Sequence, residues 1–210
     1  MPGLIHGLEA DRIGRNLERV RERAGSDVEI LAATKYVPVA EMGALAEAGV
    51  ELVGENRLQD LEAKRERWGD AFTWDFIGNL QSRKVKQIVP LVRLVHSVAT
   101  DSVLAQLDRH ARPETEVLVE VNVAGEEGKG GIDIEELPEF ISRCPVRVVG
   151  LMTMPPFSTD AEDSRRFFAR LAELAAEHDL ERLSMGTSQD WEVALEEGAT
   201  ILRLGTALYA

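Results

Sequence analysis

Residues 29–38 read EILAATKYVP. The apolar run Ile30-Leu31-Ala32-Ala33 has the length and composition of a strand buried on both faces. A single lysine, Lys35, follows at its C-terminal end, and Pro38 then stops a ladder strand and prepares a helix. In α/β folds, ligands sit at the carboxyl ends of the strands. Two readings of Lys35 follow: a solvated lysine at a strand end, or an amine that condenses with a carbonyl compound.

The pattern repeats on both sides of this stretch. An amphipathic helix is expected over residues 4–24, with Leu4, Leu8, Ile13, Leu17 and Val20 near one face, and Gly25 stops it. Further strands are expected at 29–35, 51–53, 73–77, 93–96, 116–121, 146–151, 183–185 and 201–204. Helical segments separate them at 39–48, 54–68, 80–89, 102–110, 135–142, 160–178 and 191–197, and a last helical turn spans 206–209. Short apolar strands alternating with helices specify a parallel sheet. Eight such units predict a single-domain (β/α)8 barrel over residues 1–210, small for its class. The alternative is an open doubly wound sheet, but no GxGxxG opens a first βα unit.

Composition narrows the function. The chain is 44% hydrophobic and 29% charged, in the range of soluble globular proteins. A net charge of −13 argues against nucleic acid, and no polybasic cluster marks an anionic membrane surface. Cys144 is the one cysteine, and His6, His96, His110 and His178 lack metal-ligand spacing, so no metal is expected. With no signal-peptide pattern and no apolar run near about 18 residues, the expected location is cytoplasmic.

In a barrel, the loops after strands seven and eight commonly hold phosphate. Here they read Ser184-Met185-Gly186-Thr187-Ser188 and Arg203-Leu204-Gly205-Thr206. Small residues let backbone N–H groups approach phosphate oxygens, and the hydroxyls add donors. The plainer reading is that Gly and Ser merely make tight turns. A lysine after strand one, a phosphate cradle and Arg203 together suit pyridoxal 5′-phosphate (PLP), which carries an aldehyde, a phosphate and a ring nitrogen. A sugar-phosphate aldolase using a lysine imine would need the first two.

The motifs carry a resemblance. ATKYVP at 33–38, GENRLQD at 54–60, FIGNLQSRK at 76–84 and VHSV at 95–98 occur in this order. EVNVAGEEGKGGI at 120–132, GLMTMPP at 150–156, SMGTSQDWEVALEEGAT at 184–200 and ILRLGTALYA at 201–210 complete the set. Together they resemble the pyridoxal phosphate homeostasis proteins along nearly the whole chain. The resemblance implies a barrel like the alanine racemase N-terminal domain, with PLP on Lys35 as an internal aldimine. It implies Arg203 facing the pyridine nitrogen, Ser188, Gly205 and Thr206 holding the phosphate, and Asn56 and Met152 lining the pocket.

Several positions depart from the family pattern. Asp75 stands at a usual His, Arg57 at a usual Tyr, Arg83 at a frequent Asn and Thr187 at a usual Met; the chain ends Tyr-Ala rather than Phe-Gly. Asp75, expected at the end of strand three, bears most directly on pocket charge.

Three functions follow. The first is a PLP carrier in cofactor homeostasis, serving apo forms of PLP-dependent enzymes. The second is a small racemase-like PLP enzyme, and the third an imine aldolase. Racemases of the resembled class use a tyrosine as second base. Tyr36 and Tyr209 are the only tyrosines, and strand alternation places Tyr36 on the side opposite Lys35. That favours the carrier. The expected assembly is a monomer or a weak homodimer.

Overall fold

The apolar segments form strands because their β-branched and Leu-rich runs are too short for helices and are bounded by Gly, Pro and polar turns. A computed structural model describes residues 3–210. The strands are β1 (Glu29–Ala33), β2 (Leu52–Glu55), β3 (Thr73–Phe76), β4 (Leu94–Val98), β5 (Glu116–Glu120), β6 (Arg147–Met152), β7 (Arg182–Thr187) and β8 (Ile201–Leu204). All pair in parallel, each with the next, and β8 closes on β1 with Leu31 opposite Arg203 and Ala32 opposite Leu204. The expected (β/α)8 barrel is the observed fold.

Nine α-helices are assigned among the described residues: α1 (Ala10–Ala24), α2 (Met42–Glu47), α3 (Leu58–Trp68), α4 (Val85–Ile88), α5 (Asp101–His110), α6 (Leu137–Arg143), α7 (Arg165–Glu177), α8 (Trp191–Glu196) and α9 (Thr206–Tyr209). Side chains alternate across each strand, so one set fills the barrel and the other meets the helices. Leu31, Leu52, Leu94, Leu118, Val149, Met152 and Ile201 form the interior cluster. A larger cluster, including Ile13, Leu17 and Val20 of α1 and Leu61 of α3, joins the barrel's outer face to the helices. Among the described residues no helix is long and apolar enough to cross a membrane.

Several expected boundaries shift. Helix α1 begins at Ala10, not at residue 4. Gly7 adopts φ +70°, and the Glu41 carboxylate accepts from the N–H groups of Gly7 and Leu8, so residues 4–8 run outside the helix. Strand β1 ends at Ala33, two residues before Lys35, because Val37 N–H closes a turn on the Thr34 carbonyl at 2.8 Å. The segment expected as one helix over 80–89 is a 3₁₀ turn, Ser82–Lys84, followed by the short α4. A 3₁₀ turn, Ala161–Ser164, likewise precedes α7.

Candidate functional site

Because the strands are parallel, all eight carboxyl ends open on one face. Lys35 lies there, exposed, in the turn after β1, with Nζ 5.2 Å from the centre of the Tyr36 ring. The expectation that Tyr36 points away from Lys35 is therefore corrected: both residues lie beyond the strand, where alternation no longer applies.

The turn is anchored from behind. Thr34 is fully buried, and its hydroxyl donates to Glu55 Oε1 at 2.6 Å. Lys64 of α3 donates to the Thr34 carbonyl at 2.7 Å and to the same Glu55 oxygen. Tyr209 of α9 donates its hydroxyl to the Ala33 carbonyl at 3.1 Å. Two consecutive carbonyls before Lys35 are thus fixed by side chains. Lys64 lies on the buried face of α3 with Leu58 and Leu61. A lysine continuing that three-residue apolar spacing was the available sequence signal.

Arg203 of β8 points into the barrel and is 6% exposed. Its Nη1 donates to Ser184 Oγ at 2.6 Å and its Nη2 to the Thr153 carbonyl at 2.8 Å. Burial pushes its pKa down to about 10, against the opposing charges of Glu120 and Asp190. Ser184 Oγ lies 2.8 Å from His96 Nδ1, and His96 Nε2 lies 3.1 Å from Asp75 Oδ2. Arg93 closes the series, donating to both Asp75 oxygens at 3.0 and 2.7 Å, and also pairs with Glu29.

The charge states give this chain a direction. Burial raises the Asp75 pKa, but hydrogen bonds and charge from His96 and Arg93 outweigh it, so the carboxyl is held below its ordinary range. Burial pushes the His96 imidazole down, Asp75 opposes this, and the charges of Arg203 and Arg93 add to it. An ionised Asp75 only accepts, so neutral His96 carries its proton on Nε2 and accepts at Nδ1 from the Ser184 hydroxyl. Ser184 is left as acceptor for Arg203. Asp75 is the third of four residues in β3, inside the barrel rather than at the strand end. Its effect reaches the carboxyl-end face through His96 and Ser184.

The other expected residues fall as follows. Ser188 follows β7, and its Oγ accepts from Gly205 N–H and Ala207 N–H, each at 3.0 Å, so it stitches the loops after β7 and β8 together. Gly205 is half-buried and Thr206 exposed. A Cβ on Gly205 would meet nothing within 4 Å, so the backbone there is open to approach. Met152 ends β6, buried in the interior cluster. Asn56 follows β2, half-buried, with an Oδ1 shielded from solvent and lacking a hydrogen-bond partner. All seven come from five neighbouring strands, β6-β7-β8-β1-β2. Sequence reasoning missed Thr34, Glu55, Lys64 and Thr153; it placed Ser184 in the phosphate loop after strand seven, whereas Ser184 lies within β7 with its hydroxyl between His96 and Arg203.

The closed eight-stranded barrel is of the alanine racemase N-terminal domain type, and the family of that name matches residues 8–210. The pyridoxal phosphate homeostasis protein of Aquifex aeolicus is 41% identical over 219 residues, covering 95% of this chain and 96% of that protein. PipY of Synechococcus elongatus, solved with PLP bound, superposes with a TM-score of 0.82 at 31% identity, covering 94% of this chain and all of that one. Alanine racemase from Corynebacterium glutamicum shares the fold, with a TM-score of 0.77 at 16% identity over all of this chain and 63% of its own. The chain belongs to the pyridoxal phosphate homeostasis protein family.

Proposed function

We propose that the chain holds PLP at the carboxyl-end face of the barrel, through a Schiff-base link to Lys35, and acts in intracellular PLP supply rather than as a turnover enzyme. The observation that carries this reading is the juxtaposition on adjacent strands: an exposed amine after β1, a buried guanidinium in β8, and the stitched loops after β7 and β8. The donor set fits the molecule, offering an amine for an aldehyde, open backbone and hydroxyls for a phosphate, and a cation for a ring nitrogen. PLP supplies a carbonyl carbon that condenses with an amine, releasing water, and an electron-withdrawing ring.

The chain's own residues do the rest. Ser188, Gly205 and Thr206 hold the phosphate, and Asn56 and Met152 line the pocket. Arg203, braced by Ser184 and Thr153, places a cation against the ring nitrogen and opposes its protonation. That restrains carbanion chemistry and suits storage. The tyrosines support the same reading. The Tyr209 hydroxyl is spent on the Ala33 carbonyl, burial pushes its pKa upward, and Tyr36 lies beside Lys35 in the same turn. No phenol is left to face the lysine from across the site.

The test is delivery. The PLP-loaded protein, mixed with an apo form of a PLP-dependent enzyme, is expected to restore that enzyme's activity while showing no turnover of alanine or serine by itself. Turnover of either amino acid that disappears with Lys35→Ala would favour the racemase-like enzyme.

A further inference from the structure

Between α3 and the Ser82–Ile88 segment runs a groove of about 530 Å³, outside the barrel wall. Of the residues assigned to the PLP site above, Asn56 borders it, whereas Lys35, Met152, Ser188, Arg203, Gly205 and Thr206 do not line it, so the groove adjoins that site at one residue and its cations belong to neither the amine nor the phosphate loops. Arg57, Arg83 and Lys84 line it, and no carboxylate does. This is unusual in a chain with 37 acidic residues against 24 basic ones. None of the three cations has an acidic partner among the described residues, whereas Arg93, Arg143, Arg165 and Arg170 are each paired with carboxylates. The carboxylates nearest in sequence to Arg57, Glu55 and Asp60, both lie outside the lining, and Glu55 is buried against Lys64.

The groove is built rather than incidental. Its two loops touch through their backbones: a Cβ on Gly78 would lie 2.2 Å from the Asn56 carbonyl oxygen. Buried Leu58, Phe76 and Ile88 form an apolar floor. Gln81 Oε1 accepts from Arg83 Nε at 3.1 Å, which orients the guanidinium and leaves both Nη groups free to donate. Helix α3 starts at Leu58 without a side-chain cap, so its first N–H groups add positive potential at the same rim.

We propose that this groove binds a small phosphate monoester, with Arg57, Arg83 and Lys84 on the phosphate and the apolar floor under the organic part. Two guanidinium forks match phosphate oxygens in a way that a single ammonium does not. The volume is that of a site for one small molecule, and the net charge of −13 disfavours a polyanionic partner.

The test uses the full chain after borohydride reduction in the presence of PLP, which fixes any cofactor bound to Lys35. Phenyl phosphate and, separately, inorganic phosphate are then titrated while the arginine Nε–H resonances are followed by NMR. Saturable shifts at Arg57 and Arg83 are expected, with phenyl phosphate the tighter ligand. Affinity should fall tenfold or more in the double variant Arg57→Gln/Arg83→Gln, and as salt is raised. Absence of saturable shifts, unchanged affinity in the double variant, or binding of inorganic phosphate without phenyl phosphate would each overturn the proposal. Peptide mapping of the same reduced sample reports Lys35 separately, so failure at one site does not mimic failure at the other.

Discussion

Lys64 Nζ donates to the carbonyl of Thr34 at 2.7 Å, one residue before Lys35, while paired with the fully buried Glu55 carboxylate. An interior charge pair of this kind is costly to break from one side, because the remaining charge is left in a poorly solvating environment. Lys64→Met is expected to destabilise the fold by about 3–5 kcal/mol, and the double variant Lys64→Met/Glu55→Gln by distinctly less. Urea unfolding of the three proteins checks this. A Lys64→Met protein as stable as the wild type would show that the pair contributes nothing.

Asp75→Asn removes the acceptor shared by His96 and Arg93. Asp75 ionises more readily in the folded chain than in the unfolded one, so it adds stability above pH ~4 that is lost as pH falls through its folded value. The variant is expected to be about 3 kcal/mol less stable at pH 7, and the gap should close below pH ~4. Denaturant midpoints across pH 3–7 measure it.

His96 gives a second pH signature. Its folded pKa lies below its unfolded value of about 6.5, so the unfolded chain takes up a proton that the folded chain refuses. Its contribution is fully present above pH ~6.5 and drains below it, by up to ~1.4 kcal/mol per pH unit. His96→Gln should flatten the urea-midpoint profile between pH 7.5 and 5. Parallel profiles would contradict the assignment.

Arg203→Gln takes from Ser184 its cationic donor and from the proposed ring site its cation. The variant is expected to retain PLP at least tenfold less well, measured by equilibrium dialysis and absorbance, with a shifted visible band. Ser184→Ala should produce the same spectral change in weaker form, since it frees Arg203 without removing it.

Fold and site differed in how much of each the sequence exposed. Eight apolar runs at regular spacing specified the barrel, because strand period and helix alternation are local properties. Lys35 and Arg203 stood out because each is a charged residue in or beside an apolar strand. The end of β1 was misplaced by two residues, since the turn that ends it depends on a hydrogen bond from Val37 to Thr34 and on side chains from α3 and α9. Asp75 was singled out as a departure, yet its partners come from β4 and from the segment preceding that strand, which no local pattern ties to it. Arg57 and Arg83 were likewise noted singly, and only the pairing of β2 with β3 and the close approach of Gly78 to Asn56 bring them to one groove.

The most direct measurement is an absorption spectrum of the purified protein incubated with PLP, then borohydride reduction and peptide mass mapping. A yellow protein with the reduced cofactor on Lys35, and none in Lys35→Ala, is the predicted result. A protein that stays colourless, or carries the label elsewhere with Lys35 unmodified, would contradict the central claim.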